Sequence, residues 1–326
     1  MRVLLFFGLI VLALPFFSQT LIPKAESAFA NQLPFNSDFI KSQNIKSITY
    51  DIIDKKDLQV AEDKGLLTYY EFNSQGLVTR FYNTSISKII QREYHSEPIY
   101  RHRKKINNGY SYTKTEYLYD TISTVFLYDS SYKLKLKRHQ DGLFYESYYY
   151  DYSPDGELEK EKRCKETNVS ENRSDFKLGA QVVLSEESFK YIHTSKNQYK
   201  KICHNDEGLP YKEIIYNLNE DKQLININEQ YTVTWITQYS SFTYNPKGQL
   251  ISAAYKSNSN GDMEQSRTYE YDKNDCLLTE KHFKNGELLK EISYVTDSNK
   301  KLTSYIIREA NQKSLRIVKL LYQYRN

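Results

Sequence analysis

The sequence predicts an all-β protein, an antiparallel meander or open β-solenoid of two-strand repeats about 25 residues long. Three observations lead there. An apolar leader opens the chain, a tyrosine-rich turn motif recurs behind it, and Asn-Gly pairs stand between runs of strand-forming residues.

The leader comes first. Arg2 precedes an unbroken apolar run over residues 3–17, and polar and small residues follow. That is the layout of a secretory signal, with Ala28, Phe29 and Ala30 meeting the small-x-small rule for cleavage after Ala30. Ala25 to Ser27 offer a second choice. The competing reading, an uncleaved anchor, is disfavoured by Pro15 and by the polar break at Ser18, Gln19 and Thr20. Removing residues 1–30 takes away Arg2, Lys24 and Glu26, a net +1, so the formal charge falls from +4 to +3. So even a balance makes no case for nucleic acid as a partner. No later run is long enough to cross a bilayer, so the mature chain is expected in the periplasm or outside the cell, with no integral membrane segment after cleavage.

The repeat is the informative element. It has an aromatic at position 0, another at +2, Asn or Asp at +3, Gly or a polar turn residue at +6 and an aliphatic at +8. Tyr70, Phe72, Asn73, Gly76 and Val78 fit it, as do Phe242, Tyr244, Asn245, Gly248 and Leu250. Copies starting at Tyr150 and Tyr269 vary only in the turn residues, and a copy is also read at Tyr117, with its turn at Asp120. Weaker copies start at Tyr216 and Tyr294. Starts at 216, 242, 269 and 294 are separated by 26, 27 and 25 residues. Each copy reads as strand, tight turn, strand: residues 0 and +2 share a face, and the Asn or Asp with the following Gly supplies the turn. A second turn closes each unit, and Asn285-Gly286 between Phe283 and Leu288 is a strong hairpin signal. Asn108-Gly109 and Asn260-Gly261 look alike.

From residue 156 to 175 the pattern lapses into charge, which reads as a solvated loop or short helix. The expected organisation is therefore a signal over 1–30, irregular amino-terminal repeats over 31–160, a charged loop or insertion over 161–198 and a regular array over 199–326.

The motif Tyr-x-Tyr-Asp/Asn-x-x-Gly-x-Leu resembles the YD repeat of bacterial RHS proteins, and the stretch from Phe283 to Leu288 is also similar to MORN-type repeats. The resemblance implies a bacterial repeat protein of the cell surface. It differs from the large RHS proteins in having too few units for a closed shell and no trailing toxin domain.

Candidate chemistry is sparse. The chain has 31 tyrosines against 15 phenylalanines, which reads mainly as cross-strand aromatic ladders and secondarily as a stacking surface. On that second reading Tyr150, Tyr152, Tyr244, Tyr269 and Tyr271 are the binding candidates. Lys133, Lys135 and Lys137 alternate with Leu134 and Leu136, which would give a basic row for an anionic glycan or lipid, or simply lysines guarding a strand edge. Cys164, Cys203 and Cys276 are too dispersed for a zinc or redox motif and read as small buried hydrophobes. No catalytic residue, metal site or cofactor is called. The expected function is a non-enzymatic binding or structural module at the envelope, its partner a glycan or a protein. A hydrolase with loop-borne catalytic residues is the alternative.

Overall fold

The structure, a computed structural model, describes residues 19–326 apart from 31–32, 97–98, 102–103, 108–110, 142–143, 172–174 and 260–262. The apolar run of the leader and two of the Asn-Gly pairs lie outside the described residues.

An amino-terminal strap, residues 19–43, folds back on itself through a bridge between Leu21 and Phe35 and ends in helix α1 (Ser37–Ser42). The first ten strands are β1 (Ile45–Lys56), β2 (Glu62–Phe72), β3 (Val78–His95), β4 (Ile99–Arg101), β5 (Lys104–Asn107), β6 (Ser111–Tyr128), β7 (Leu134–Asp141), β8 (Phe144–Tyr152), β9 (Leu158–Asn168) and β10 (Leu178–Ser195). Ten more follow: β11 (Gln198–His204), β12 (Pro210–Leu218), β13 (Leu224–Tyr231), β14 (Thr237–Tyr244), β15 (Leu250–Ser257), β16 (Met263–Tyr271), β17 (Leu277–Lys284), β18 (Glu287–Thr296), β19 (Leu302–Glu309) and β20 (Ser314–Tyr324).

Among the described residues, strands β4 and β5 pair only with each other, and the other 18 form one antiparallel sheet in which each strand pairs with its neighbours in the chain. The sheet closes because β20 pairs with β1, from Tyr324 opposite Ile45 to Ser314 opposite Lys56. On this seam the Arg316 guanidinium donates to Asp54 at 2.7 Å, and Lys64 of β2 reaches the same carboxylate at 3.1 Å. The expected open solenoid is thus corrected to a closed meander barrel. A local repeat dictates hairpins, and it carries no instruction about whether the last strand returns to the first.

Eight turns repeat one geometry. Asn73, Asp129, Asn245, Asp272 and Asp297 each accept backbone N–H bonds from the residues two and four places on, and Ser153, Asn205 and Asn219 accept the second of these. Three residues after each comes a residue of positive φ, such as Gly76, Gly248 and Asp275. These are the side-chain turns the repeat called for. The other hairpin signal also holds: Asn285 and Gly286 have φ of 49° and 82° between the paired Lys284 and Glu287.

Two expectations fail here. The copy read at Tyr117 lies inside β6, and the turn falls at Asp129, with Phe126 and Tyr128 as its aromatics. Most of the charged insertion over 161–198 is strand: residues 161–168 of β9 and residues 178–195 of β10 pair with each other and continue the barrel. The consecutive charges of β9, from Glu159 to Arg163, fall on both faces of the strand, which hides the apolar period of a half-buried strand.

Directly opposed residues share a face, so register sorts the side chains onto two walls. One wall carries Tyr50, Tyr305, Tyr294, Ile292 and Tyr269, all buried. The other carries Asp51, Lys319, Ser304, Ser293 and Thr279 on the same strands. The buried wall holds the strap. Phe29 packs on Tyr255 of β15 at 5.8 Å and Phe35 on Tyr70 of β2 at 4.9 Å. Those strands are seven spacings apart in the sheet, roughly 34 Å, although only five residues separate the two phenylalanines. The sheet therefore curls around the strap, and the buried aromatic wall is the inner one. A cylinder of 18 strands is too wide for its own side chains to fill, and the strap fills one side of it.

Candidate ligand-binding cavity

The inner wall is held in place by its tyrosines. Tyr244, Tyr271 and Tyr152 stand at +2 of their repeats, and each hydroxyl donates to the carbonyl of the aliphatic that begins the preceding strand: Leu224 at 2.7 Å, Leu250 at 2.7 Å and Leu134 at 3.0 Å. Tyr128 does the same to Val78 at 2.8 Å, and Tyr322 to Leu302. The ring thus closes each turn onto the previous one, and burial raises the Tyr244 phenol to about 12.

The strap is fastened to the same ends of the strands. The backbone N–H of Leu277 donates to Gln19 Oε1 at 2.9 Å, and that of Leu302 to Thr20 Oγ1 at 2.9 Å. Between this strap and the wall lies a cavity of about 530 Å³. Tyr244, Tyr271 and Leu224 line the barrel side, and Ile22, Pro23 and Ala25 line the strap side. Glu26, Lys24, Asp221 and Lys247 bring charge to it, and Gln223 and Gln249 bring amides. Those two amides also donate, to Gly248 O at 2.8 Å and Asp275 O at 3.0 Å. The lining brings aromatic rings, amides and charges of both signs around one space.

The sequence candidates do not form one site. Tyr244 and Tyr271 line this cavity, whereas Tyr269 is buried beneath the strap with its hydroxyl donating to Ala28 O at 3.4 Å. Beside it, in a separate cavity of about 60 Å³, the Glu280 carboxylate accepts from Tyr294 at 2.8 Å and meets His282 at 2.5 Å and Arg267 at 3.3 Å. Tyr150 and Tyr152 belong to β8, far around the wall. Lys133 lies over the Tyr152 ring at 5.3 Å and Lys137 over Tyr148 at 5.2 Å, while Lys135 is exposed. Leu136 is buried, but the register shifts between Leu134 and Leu136, so the two leucines face opposite walls and the expected row of lysines on one face is broken. All three cysteines are buried. Among the described residues no group of His, Cys, Asp or Glu converges as a metal site.

Sequence reasoning missed the strap, because residues 19–30 were assigned to the leader. It also missed Gln223 and Gln249. Both occupy +7 of their repeats, a recurrence that was there to be read.

No family model matches the chain, and no curated protein does either. Solved structures with which it aligns include a porin-like protein from Bacteroides uniformis, 9% identical, with 86% of this chain and 98% of that one covered at a TM-score of 0.35. A porin-like protein from Bacteroides vulgatus aligns similarly, at 8% identity, 86% and 98% coverage and a TM-score of 0.34. A Photorhabdus luminescens Tc holotoxin pore aligns at 15% identity and a TM-score of 0.29, with 78% of this chain covered and 12% of that one. At such scores the likeness carries no argument, and the barrel rests on its own strand pairing. The resemblance to RHS and MORN repeats is corrected by that pairing: the motif encodes a side-chain turn and a tyrosine clamp, and here they build a closed 18-stranded barrel.

Proposed function

We propose that the chain is a non-enzymatic, water-facing barrel of the cell envelope or the extracellular space, and that it binds a glycan between its strap and its inner wall. The observation that carries this reading is the cavity of about 530 Å³ lined by Tyr244 and Tyr271. Aromatic faces stack on the apolar faces of sugar rings, and the amides of Gln223 and Gln249 with the carboxylates of Asp221 and Glu26 suit ring hydroxyls. A concave, two-sided space of this kind favours a small flexible chain over a protein surface.

The outer wall supports a place in water. A lipid-facing barrel shows an apolar band outside and polar residues within; here the buried tyrosines line the inner wall, and the outer wall mixes ion pairs with exposed apolar residues such as Val295 and Leu321. Lys281 with Glu270 at 3.2 Å, Lys200 with Glu213 at 2.6 Å and Lys256 with Glu264 at 3.2 Å are ion pairs on the outer wall. The leader supports export.

Calorimetric titration with a panel of soluble envelope oligosaccharides tests the proposal. At least one should bind saturably, and Ile22→Trp, which fills the cavity from the strap side, should weaken it tenfold or more. Failure of every oligosaccharide to bind would end the glycan reading, and cleavage of the bound one would favour a hydrolase.

A further inference from the structure

We propose that residues 19–30 are a permanent part of the mature barrel, and that the bond after Ala30 is not where export processing cuts. The inference rests on the export reading and departs from the most obvious cleavage motif. Thr20, Leu21, Ala25 and Ala28 are each 6% exposed or less, which makes this stretch core. Its bonds are specific. Gln19 and Thr20 satisfy the backbone N–H groups of Leu277 and Leu302 at the starts of β17 and β19. The Gln19 carbonyl accepts from Asn36 Nδ2 at 3.0 Å, and the Ala30 carbonyl accepts from Arg267 at 3.2 Å.

Cleavage after Ala30 would strip all of this from the barrel. Two N–H donors at strand ends would lose their partners, at the cost such orphans carry. Apolar side chains on the inner wall, Leu224, Leu277 and Leu302 among them, would face a wetted lumen. The retained part of the strap, residues 33–43, would lose its bridge to Leu21. Small residues at Ala25, Ala28 and Ala30, which meet the rule for a peptidase, have a second explanation here. Ala25 and Ala28 are buried where the strap lies against the wall, and a larger side chain would hold it off.

Two measurements decide it. The intact mass of protein recovered from the periplasm or medium of an expressing bacterium should correspond to a chain starting at Gln19 or earlier. A mass starting at Asn31 would overturn the proposal, whereas an unprocessed chain still carrying residue 1 would support retention and count against export. Separately, purified chains starting at residue 19 and at residue 31 are compared by thermal unfolding. The shorter chain should unfold roughly 10 °C lower or more, and equal midpoints would overturn the proposal whatever the peptidase does.

Discussion

Glu280 shows what a single residue contributes under the strap. Burial alone would raise its pKa, but the bonds from His282 and Tyr294 and the charge of Arg267 hold it below the usual carboxylate range. Burial in turn lowers the His282 imidazole, against the pull of Glu280. Both shifts act in one direction. A carboxylate with a lowered folded pKa contributes stability that is present above its unfolded value and lost as pH falls through the folded one. A histidine with a lowered folded pKa costs stability as the unfolded chain takes up its proton, from about pH 6.5 downward. The unfolding midpoint should therefore fall between pH 7 and pH 4. Glu280→Gln should cost about 3 kcal/mol at neutral pH, since it leaves the Arg267 charge without its partner, and should remove the carboxylate's share of the acid limb, below about pH 4.5, while the histidine share remains. A wild-type midpoint constant across that range would contradict the assignment. None of this was legible in the sequence, because Arg267, Glu280 and Tyr294 are neighbours only through strand register.

Strands and turns were the legible scale. The residues at +3 and +6 announced side-chain turns, and Asn285-Gly286 announced its hairpin, because turn chemistry is local. The failures at this scale are local too. Around Tyr117 the aromatic pair and Asp120 match the motif, but that stretch stays extended, and the true turn takes its positive φ at Tyr132, a residue type that gives no warning. Two glycines separate conformation from crowding. Gly286 has φ of 82° and open space where a Cβ would stand, whereas a Cβ on Gly76, at φ of 79°, would meet the Ser37 carbonyl of α1 at 2.0 Å. Gly286→Ala should cost about 1–2 kcal/mol, from backbone strain alone. Gly76→Ala should cost about 3 kcal/mol or more, because strap and turn must also part. Chemical denaturation of the two variants checks the order, and equal costs would show that the strap does not press on this turn.

At the scale of the whole molecule the account turns on which wall faces out. Alternation along each strand was visible in the sequence, but its meaning depends on closure, and closure depends on β20 meeting β1 across most of the chain. Once the sheet is a cylinder, the tyrosine rows become a lining and the Ser, Thr, Lys and Glu rows become the surface. The strap was hidden for a related reason: a segment of small and apolar residues behind a leader reads as processing signal until a wall exists for it to line. The placing of the aromatic wall inside and the ion-paired wall outside is the central claim, and vesicle flotation tests it most directly. Purified chain, mixed without detergent with vesicles of bacterial phospholipid and spun through a density gradient, should stay at the bottom as a monodisperse protein. Flotation with the vesicles, together with aggregation when lipid and detergent are withheld, would mean that the outer wall faces lipid and that the walls have been assigned the wrong way round.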